Sequence, residues 1–507
     1  MRNFTTVFKV SAAIMAVLVV FGILMPGTLE KLTGNIQSFI STAFGWYYLI
    51  IVTVFVVVSI FLMFSPVGRI KLGKPDSVPE FTRPTWIAML FSAGMGIGLV
   101  FWGTAEPISH YAVSSPTGQE GTAQGIKDAM RFTFFHWGIH AWAIYGIVAL
   151  VLAYFKFRHD RPGLISAALY PVIGERLAKG GLGKTIDVIA VIATVIGVAT
   201  TLGFGAVQIN GGLSYLFGLP NNIVVQFVIV FIVTILFMIS AWSGLSKGIA
   251  YLSNANMVLA ILLFAMVFIF GPTAFILNLF TNTIGTYIAY LPEMSFRIAP
   301  LNEEARGWIQ GWTIFYWAWW IAWSPFVGIF IARVSRGRSI REFIFTVLLL
   351  PSLIGFLWFA TFGGTAISLQ HEGVAAIAEL ATEESLFGVL ANYPLGFFAS
   401  IIAITLIGTF FITSADSGTF VLGMMTTNGS LTPPNSIKLT WGVLLSATAL
   451  ALLYTGGLQA LQNTMIIAAF PFSFIMLLMT YSLIKALYTE GKELGIGRIR
   501  HPKPNRR

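Results

Sequence analysis

Between Trp312 and Trp323 the chain reads WTIFYWAWWIAW, five tryptophans in twelve residues. Membrane tryptophans usually collect in interfacial belts. Twelve helical residues at 1.5 Å rise cover about 18 Å, which is deeper than a belt. On a helix Trp319 and Trp323 share a face, as do Tyr316, Trp320 and Trp323. A second group, Trp137, Trp142 and Tyr145, falls within about 140° of arc at 100° per residue. Ring faces from two helices wall in a cation that lacks N–H donors, and quaternary ammonium is the ligand such walls suit. No Arg or Lys stands in the middle of an apolar run, so a ligand carboxylate would need backbone donors. Gly94-Met95-Gly96-Ile97-Gly98 offers them. Each glycine costs a helix about 1 kcal/mol relative to alanine, and an unwound half-helix presents free N–H groups at its positive end. Close packing of small residues is the other reading of these glycines. With Gly98 at the point that reaches the rings, and no acidic residue read near them, the expected ligand is a zwitterion.

Thr413-Ser414 carries hard oxygen ligands suited to Na⁺; the same hydroxyls can instead bond back to their own helix. Asp416 is read as the one acid within an apolar span and is a functional candidate for that reason. Other patterns fail. GMGIG lacks the preceding strand and final glycine of a dinucleotide loop, and Gly183-Lys184-Thr185 lacks the first glycine of a phosphate loop, which falls at Ala178. His136 and His140 lie one turn apart with no third ligand read nearby, so they are expected to be packed. No cysteine is present, which excludes thiolate chemistry and disulfides. No nucleophile or carboxylate pair stands out, and the chain is not expected to be an enzyme.

These side chains must be positioned by membrane helices. Of 507 residues 56% are hydrophobic and 10% charged, against about a quarter charged in soluble domains; mean hydropathy is +0.82. Apolar runs long enough to cross about 30 Å of hydrocarbon predict twelve spans, near 9–26, 46–66, 85–105, 134–156, 185–208, 222–243, 252–274, 307–332, 342–363, 394–425, 437–456 and 463–488. The first is kept as an anchor, since no small-residue cleavage pattern follows it. With the N-terminus inside, 25 of the 30 Lys and Arg fall in cytoplasmic segments. The positive-inside rule thus predicts both termini in the cytoplasm of a multi-pass protein, and the net charge of +10 does not indicate nucleic acid. Spans three and eight, the first of two sets of five, are expected to be broken, by GMGIG and by Ser324-Pro325 respectively. The predicted units are 1–84, two accessory helices; 85–274, a first five-helix set; 275–306, an outer interfacial helix and linker; 307–488, a second set; and 489–507, a basic tail that is either solvated or touches anionic lipid.

WTIFYWAWWIAWSPFVGIFIARVSRGRSIREF at 312–343 resembles the signature of the betaine/choline/carnitine transporter family. AGMGIGLVFWGTAEP at 93–107, FHWGIHAWAIY at 135–145, ATTLGFGAVQIN at 199–210 and TSADSGTFV at 413–421 extend the likeness over nearly the whole chain. Within the family the sequence is most similar to Gram-positive glycine betaine uptake systems. The resemblance implies an all-α polytopic membrane protein of twelve helices, with inverted five-helix repeats of the LeuT type after two accessory helices, usually a homotrimer in the bacterial cytoplasmic membrane. It implies Na⁺-coupled import of glycine betaine or a similar compatible solute for osmoprotection, with choline or carnitine as the alternative. The aromatic box would be Trp137, Trp142, Tyr145 and Trp320, edged by Trp319 and Trp323 and closed by Gly94, Gly96 and Gly98. Ser92, Met95, Phe410, Thr413 and Ser414 would hold one Na⁺. Thr194 and Phe326 match a second ion position, where Val198 stands in place of a hydroxyl.

Overall fold

The computed structural model describes residues 4–94, 96–243 and 246–496. Met95 and the tail from residue 497 lie outside the described residues. The chain is an all-α polytopic membrane protein, with no strand among the described residues. In chain order its principal helices are α1 (Thr6–Leu24), α2 (Pro26–Phe64), α3 (Arg83–Gly94), α4 (Ile97–Ala112), α5 (Ala123–Trp137), α6 (Ile139–Ala153), α7 (Gly181–Phe217), α8 (Ile223–Ser243), α9 (Ser246–Phe270), α10 (Thr273–Ala289), α11 (Leu291–Phe296), α12 (Glu303–Gly311), α13 (Thr313–Val334), α14 (Ile340–His371), α15 (Gly396–Met425) and α16 (Asn435–Glu493). Ten helical segments among the described residues are long and apolar enough to cross a membrane.

Differences from the twelve expected spans have local causes. The expected third span is divided into α3 and α4, because Gly96 is fully extended (φ −170°, ψ −173°). The last two expected spans form one long helix with a break at Gly456 and Gly457. Gly457 has φ 61°, a left-handed conformation that only glycine enters without cost. The expected second span starts twenty residues early, with proline in the first turn of α2, where its missing N–H is not needed. The extra turns pack on α16: a Cβ on Gly456 would stand 3.2 Å from Glu30 Oε1, and a Cβ on Gly34 would stand 3.9 Å from Asn463 Nδ2. Residues 275–300, expected as one interfacial helix, form most of α10 and all of α11.

Two expectations about breaks are corrected. The eighth span is not interrupted at Ser324-Pro325; α13 runs through both residues. Proline at 325 deprives the Ile321 carbonyl of its usual i+4 donor, but Ser324 Oγ donates to that carbonyl at 2.7 Å and replaces the lost bond. The fourth span, expected to be continuous, breaks at Gly138 (φ −93°, ψ −142°) between α5 and α6. A Cβ there would lie 2.6 Å from both the Phe134 carbonyl oxygen and Tyr287 Oη. The backbone groups freed by this break find side chains. Tyr287 Oη accepts from the Ile139 N–H at 3.1 Å, and Trp320 Nε1 donates to the His136 carbonyl at 2.9 Å.

Candidate functional site

The two breaks, at Gly96 and Gly138, bring α4, α5, α6, α13 and α14 around one cavity of about 40 Å³. Its lining includes Trp137 from the last position of α5, Trp142 and Tyr145 from α6, and Trp319, Trp320 and Trp323 from α13. Gly96, Gly98 and Leu99 come from the start of α4, and Pro351, Ile354 and Gly355 close the side formed by α14. The rings meet mostly edge to face. Trp137 and Trp320 are 4.8 Å apart at 68°, Trp142 and Tyr145 5.4 Å at 72°, and Tyr145 and Trp320 6.0 Å at 70°. Trp319 stacks on Trp320 at 4.8 Å. Periodicity alone does not divide Trp312 and the four tryptophans of α13. Trp317 stacks on His140 at 5.4 Å, and Trp312 packs against His110 at 4.6 Å, both away from this cavity.

Gly98 touches the box. A Cβ at that position would stand 2.8 Å from Trp319 Cη2 and 3.3 Å from Trp137 Cη2, so a side chain and the rings compete for one space. Gly96 is less confined, with Trp323 Cη2 3.9 Å from its notional Cβ. Gly94 is the last residue of α3. The first-turn N–H groups of α4 have no intrahelical acceptor, and Gly98 and Leu99 lie at the cavity wall. Tyr145 Oη, Trp319 Nε1 and Trp323 Nε1 are buried without a hydrogen-bond partner among the described residues. A ligand with acceptor atoms would satisfy them.

One expectation about charge is overturned. An acid does stand beside the rings: Glu106, fully buried in α4. Its Oε2 accepts from Trp137 Nε1 and from Tyr316 Oη, each at 2.6 Å. Its Oε1 lies 2.6 Å from His136 Nδ1 and 3.1 Å from His110 Nε2. Asp416 is therefore not the one buried acid, although it too is buried, in α15. The missing third group near His136 also exists: the ligand atoms of Glu106, His110 and His136 lie within 4.8 Å of one another. The direct contacts of both imidazoles with Oε1 make this a hydrogen-bonded cluster, with His136 Nε2 passing on to Thr313 Oγ1 at 2.9 Å. His140 does not join it and pairs with Ser295 Oγ at 2.9 Å. Glu106 and His110 are one turn apart, a pattern visible in GTAEPISH. The third expected span ends at 105, one residue short of this glutamate. The cavity itself has no Asp, Glu, Lys or Arg among its described lining residues.

The residues expected around the ions are less closely joined. Phe410, Thr413 and Ser414 lie in one turn of α15, and Ser92 lies in α3. No hydrogen bond among the described residues joins Ser92 to α15. Thr413 Oγ1 bonds back to the Thr409 and Phe410 carbonyls at 3.1 and 3.2 Å and accepts from Asn256 Nδ2 at 3.1 Å. Thr194 Oγ1 donates to the Ala190 carbonyl at 2.7 Å and touches Met425 Sδ. Phe326 packs on Trp323 with ring centroids 5.5 Å apart.

A larger hollow of about 580 Å³ lies between the end of the molecule carrying residues 109–113 and 377–385 and the box. Trp102, Trp312 and Phe315 line it together with Gln37, Gln310, Gln459 and Gln462. Phe315, which lines the hollow, stacks on Trp319, which lines the box, at 5.8 Å. Two stacked rings thus stand between a polar vestibule and the apolar aromatic cavity.

Comparison with known proteins agrees with that geometry. The model of the BCCT, betaine/carnitine/choline family transporters, matches residues 6–492. The glycine betaine transporter OpuD of Bacillus subtilis is 58% identical over 494 residues, covering 97% of this chain and 96% of that one. A probable glycine betaine transporter of Desulfitobacterium hafniense is 43% identical, covering 96% and 98%, and an ectoine/hydroxyectoine transporter of Virgibacillus pantothenticus is 45% identical, covering 95% and 96%. With the family's match running almost end to end and the aromatic cavity at the meeting point of its broken helices, this chain belongs to the betaine/carnitine/choline transporters and is a multi-pass membrane transporter, not an enzyme.

Proposed function

We propose that the protein imports glycine betaine, or a similar zwitterionic quaternary-ammonium solute, in symport with Na⁺ across a bacterial cytoplasmic membrane, in the service of osmoprotection. The observation that carries the substrate class is the cavity wall: ring faces for an ammonium group, free N–H and O–H donors for a carboxylate, and no lining acid or base among the described residues. Relatives named as glycine betaine transporters support the same substrate. Glu106 does not favour a bare cation such as choline, because its oxygens are occupied by protein donors behind Trp137. For Na⁺, Thr413 Oγ1 donates one bond and accepts one from Asn256, which leaves a lone pair for a cation. The proposal takes one ion there, since Val198 adds no hydroxyl to Thr194. Assembly as a homotrimer, cytoplasmic termini and contact of the basic tail with anionic lipid complete the reading.

The test is uptake of labelled betaine into proteoliposomes under an inward Na⁺ or K⁺ gradient, with choline, carnitine and ectoine as competitors. Accumulation is expected with Na⁺ only, with weak competition by choline. Equal rates for choline, or equal accumulation without Na⁺, would overturn the reading. The double variant Thr413→Ala, Ser414→Ala is expected to raise the Na⁺ concentration for half-maximal uptake; an unaltered Na⁺ curve returns both hydroxyls to bonding within their own helix.

A further inference from the structure

Glu106 is buried, charged in kind, and outside the cavity, yet one bond away from its wall. Four groups converge on its carboxylate: Trp137 and Tyr316 on Oε2, His136 and His110 on Oε1. An ionised carboxylate offers about four lone-pair positions, and a tryptophan N–H can only donate. The four contacts therefore fill an anion's acceptor positions and leave none for a ligand. His136 can complete the pattern in its Nδ1–H form by accepting the Thr313 hydroxyl at Nε2, 2.9 Å away.

The other side of Trp137 faces the ligand space, meeting Trp320 at 4.8 Å and Trp319 at 6.0 Å. The attraction of a ring face for a cation depends on how negative that face is. An anion held on the indole N–H polarises the bond and makes the face more negative, an effect strengthened by the low dielectric of a buried network. Direct contact would act differently. A carboxylate lining the cavity would pair with any small cation and would repel a substrate carboxylate nearby.

We propose that Glu106 is a positioning and specificity-determining residue that delivers negative charge to the aromatic box through the Trp137 indole. This rests on the reading of the cavity as a quaternary-ammonium site. Through it, the box prefers a cationic head to a neutral one of the same shape. Tyr316 and His136 hold the carboxylate in register: their rings stack at 4.8 Å, and Tyr316 stacks on Trp320 at 5.6 Å.

The experiment is a double-mutant cycle on the purified full-length protein, read as equilibrium binding of labelled betaine in saturating Na⁺. The variants are Glu106→Gln, Trp137→Phe and both together, and the competitor is 3,3-dimethylbutyrate, which replaces the trimethylammonium head by a neutral one of equal size. Glutamine can be accommodated, since His136 at Nδ1 and His110 at Nε2 become acceptors by changing tautomer. E106Q is expected to weaken betaine binding about tenfold and the neutral competitor less than threefold, and to add less than threefold in the Trp137→Phe background. Losses that multiply in the double variant, equal weakening of both ligands, or wild-type affinity in E106Q would each overturn the proposal. If the competitor does not bind, the cycle alone decides. If E106Q is not monodisperse, the cycle is run with Glu106→Asp, which withdraws the charge from the indole by one methylene and is expected to weaken betaine only while Trp137 is present. Wild-type protein that binds no betaine would instead end the functional reading, before any variant is compared.

Discussion

Trp320 serves the site with its ring and the fold with its N–H, which donates to the carbonyl freed at the Gly138 break. Trp320→Leu removes a cation–π contact worth about 2 kcal/mol in a desolvated site, so betaine affinity should fall roughly thirtyfold at 1.4 kcal/mol per decade. Trp320→Phe keeps a ring but orphans the His136 carbonyl, at about 1–3 kcal/mol. It should lower thermal stability while weakening betaine binding far less than Trp320→Leu does. Binding and melting curves of the two variants separate the roles, and unchanged betaine binding in Trp320→Leu would remove this ring from the site. Gly98 allows a second separation, because even a methyl group there meets Trp319 at 2.8 Å. Gly98→Ala is expected to weaken betaine transport by crowding alone. Gly98→Asp adds a negative charge to the same crowding, so any choline transport it gains over Gly98→Ala reports charge. Equal behaviour of the two variants would show that residue 98 acts by size.

At the scale of elements, the contrast between α13 and the α5–α6 pair shows what decides whether a helix breaks. Proline in mid-helix leaves a carbonyl without a donor and usually costs about 3 kcal/mol or more. In α13 the neighbouring Ser324 hydroxyl supplies the donor, and the helix continues. Ser324→Ala should therefore lower the melting temperature, and adding Pro325→Ala should restore it by returning the N–H to Ile321. If the double variant melts no higher than Ser324→Ala, the hydroxyl is not the substitute donor. Sequence patterns announce the breaker but not its compensation, which is why Ser324-Pro325 reads as a break and Gly138 does not. The rings of α13, and Trp142 and Tyr145 of α6, were legible because each set lies on one helix at 3.6-residue spacing, whereas Trp137 stands across the Gly138 break on α5 and joins them through the fold. The acid behind them was not, since its four partners come from three helices and no single-helix period encodes their convergence. Periodicity likewise located the apolar spans but not the helical turns from Pro26 onward, whose partners are on α16.

Across the whole molecule, the connecting segments fall into two sets that bond within themselves. At one end Lys74 pairs with Asp160 at 2.5 Å, Arg158 with Glu490, Arg338 with the Phe81 carbonyl at 2.6 Å, Lys485 with the Pro171 carbonyl at 2.8 Å, and Thr5 with the Thr426 carbonyl at 2.6 Å. At the other, Arg297 bonds the Pro116 carbonyl, Trp308 the Ser114 carbonyl at 2.9 Å, and Asn221 pairs with Glu383 at 2.6 Å. The first set carries most of the Lys and Arg, so the orientation proposed above, by the positive-inside rule, has this end in the cytoplasm and the polar vestibule outside. The absence of cysteine from the sequence makes this directly measurable, because one introduced thiol is the only thiol. Leu301→Cys, at a position 99% exposed beside Arg297 and Arg306, is expected to react with a membrane-impermeant maleimide in intact cells. Asp76→Cys, in the segment that holds Lys71 and Lys74, should react only after the membrane is permeabilised. The reverse pattern would invert the molecule, turn the vestibule towards the cytoplasm, and make the box open first to the compartment from which solute would leave. Excess betaine adds a check on the path: it should leave the rate at Leu301→Cys unchanged while slowing the labelling of a thiol placed at Ile354 in the cavity wall, where bound ligand would cover it.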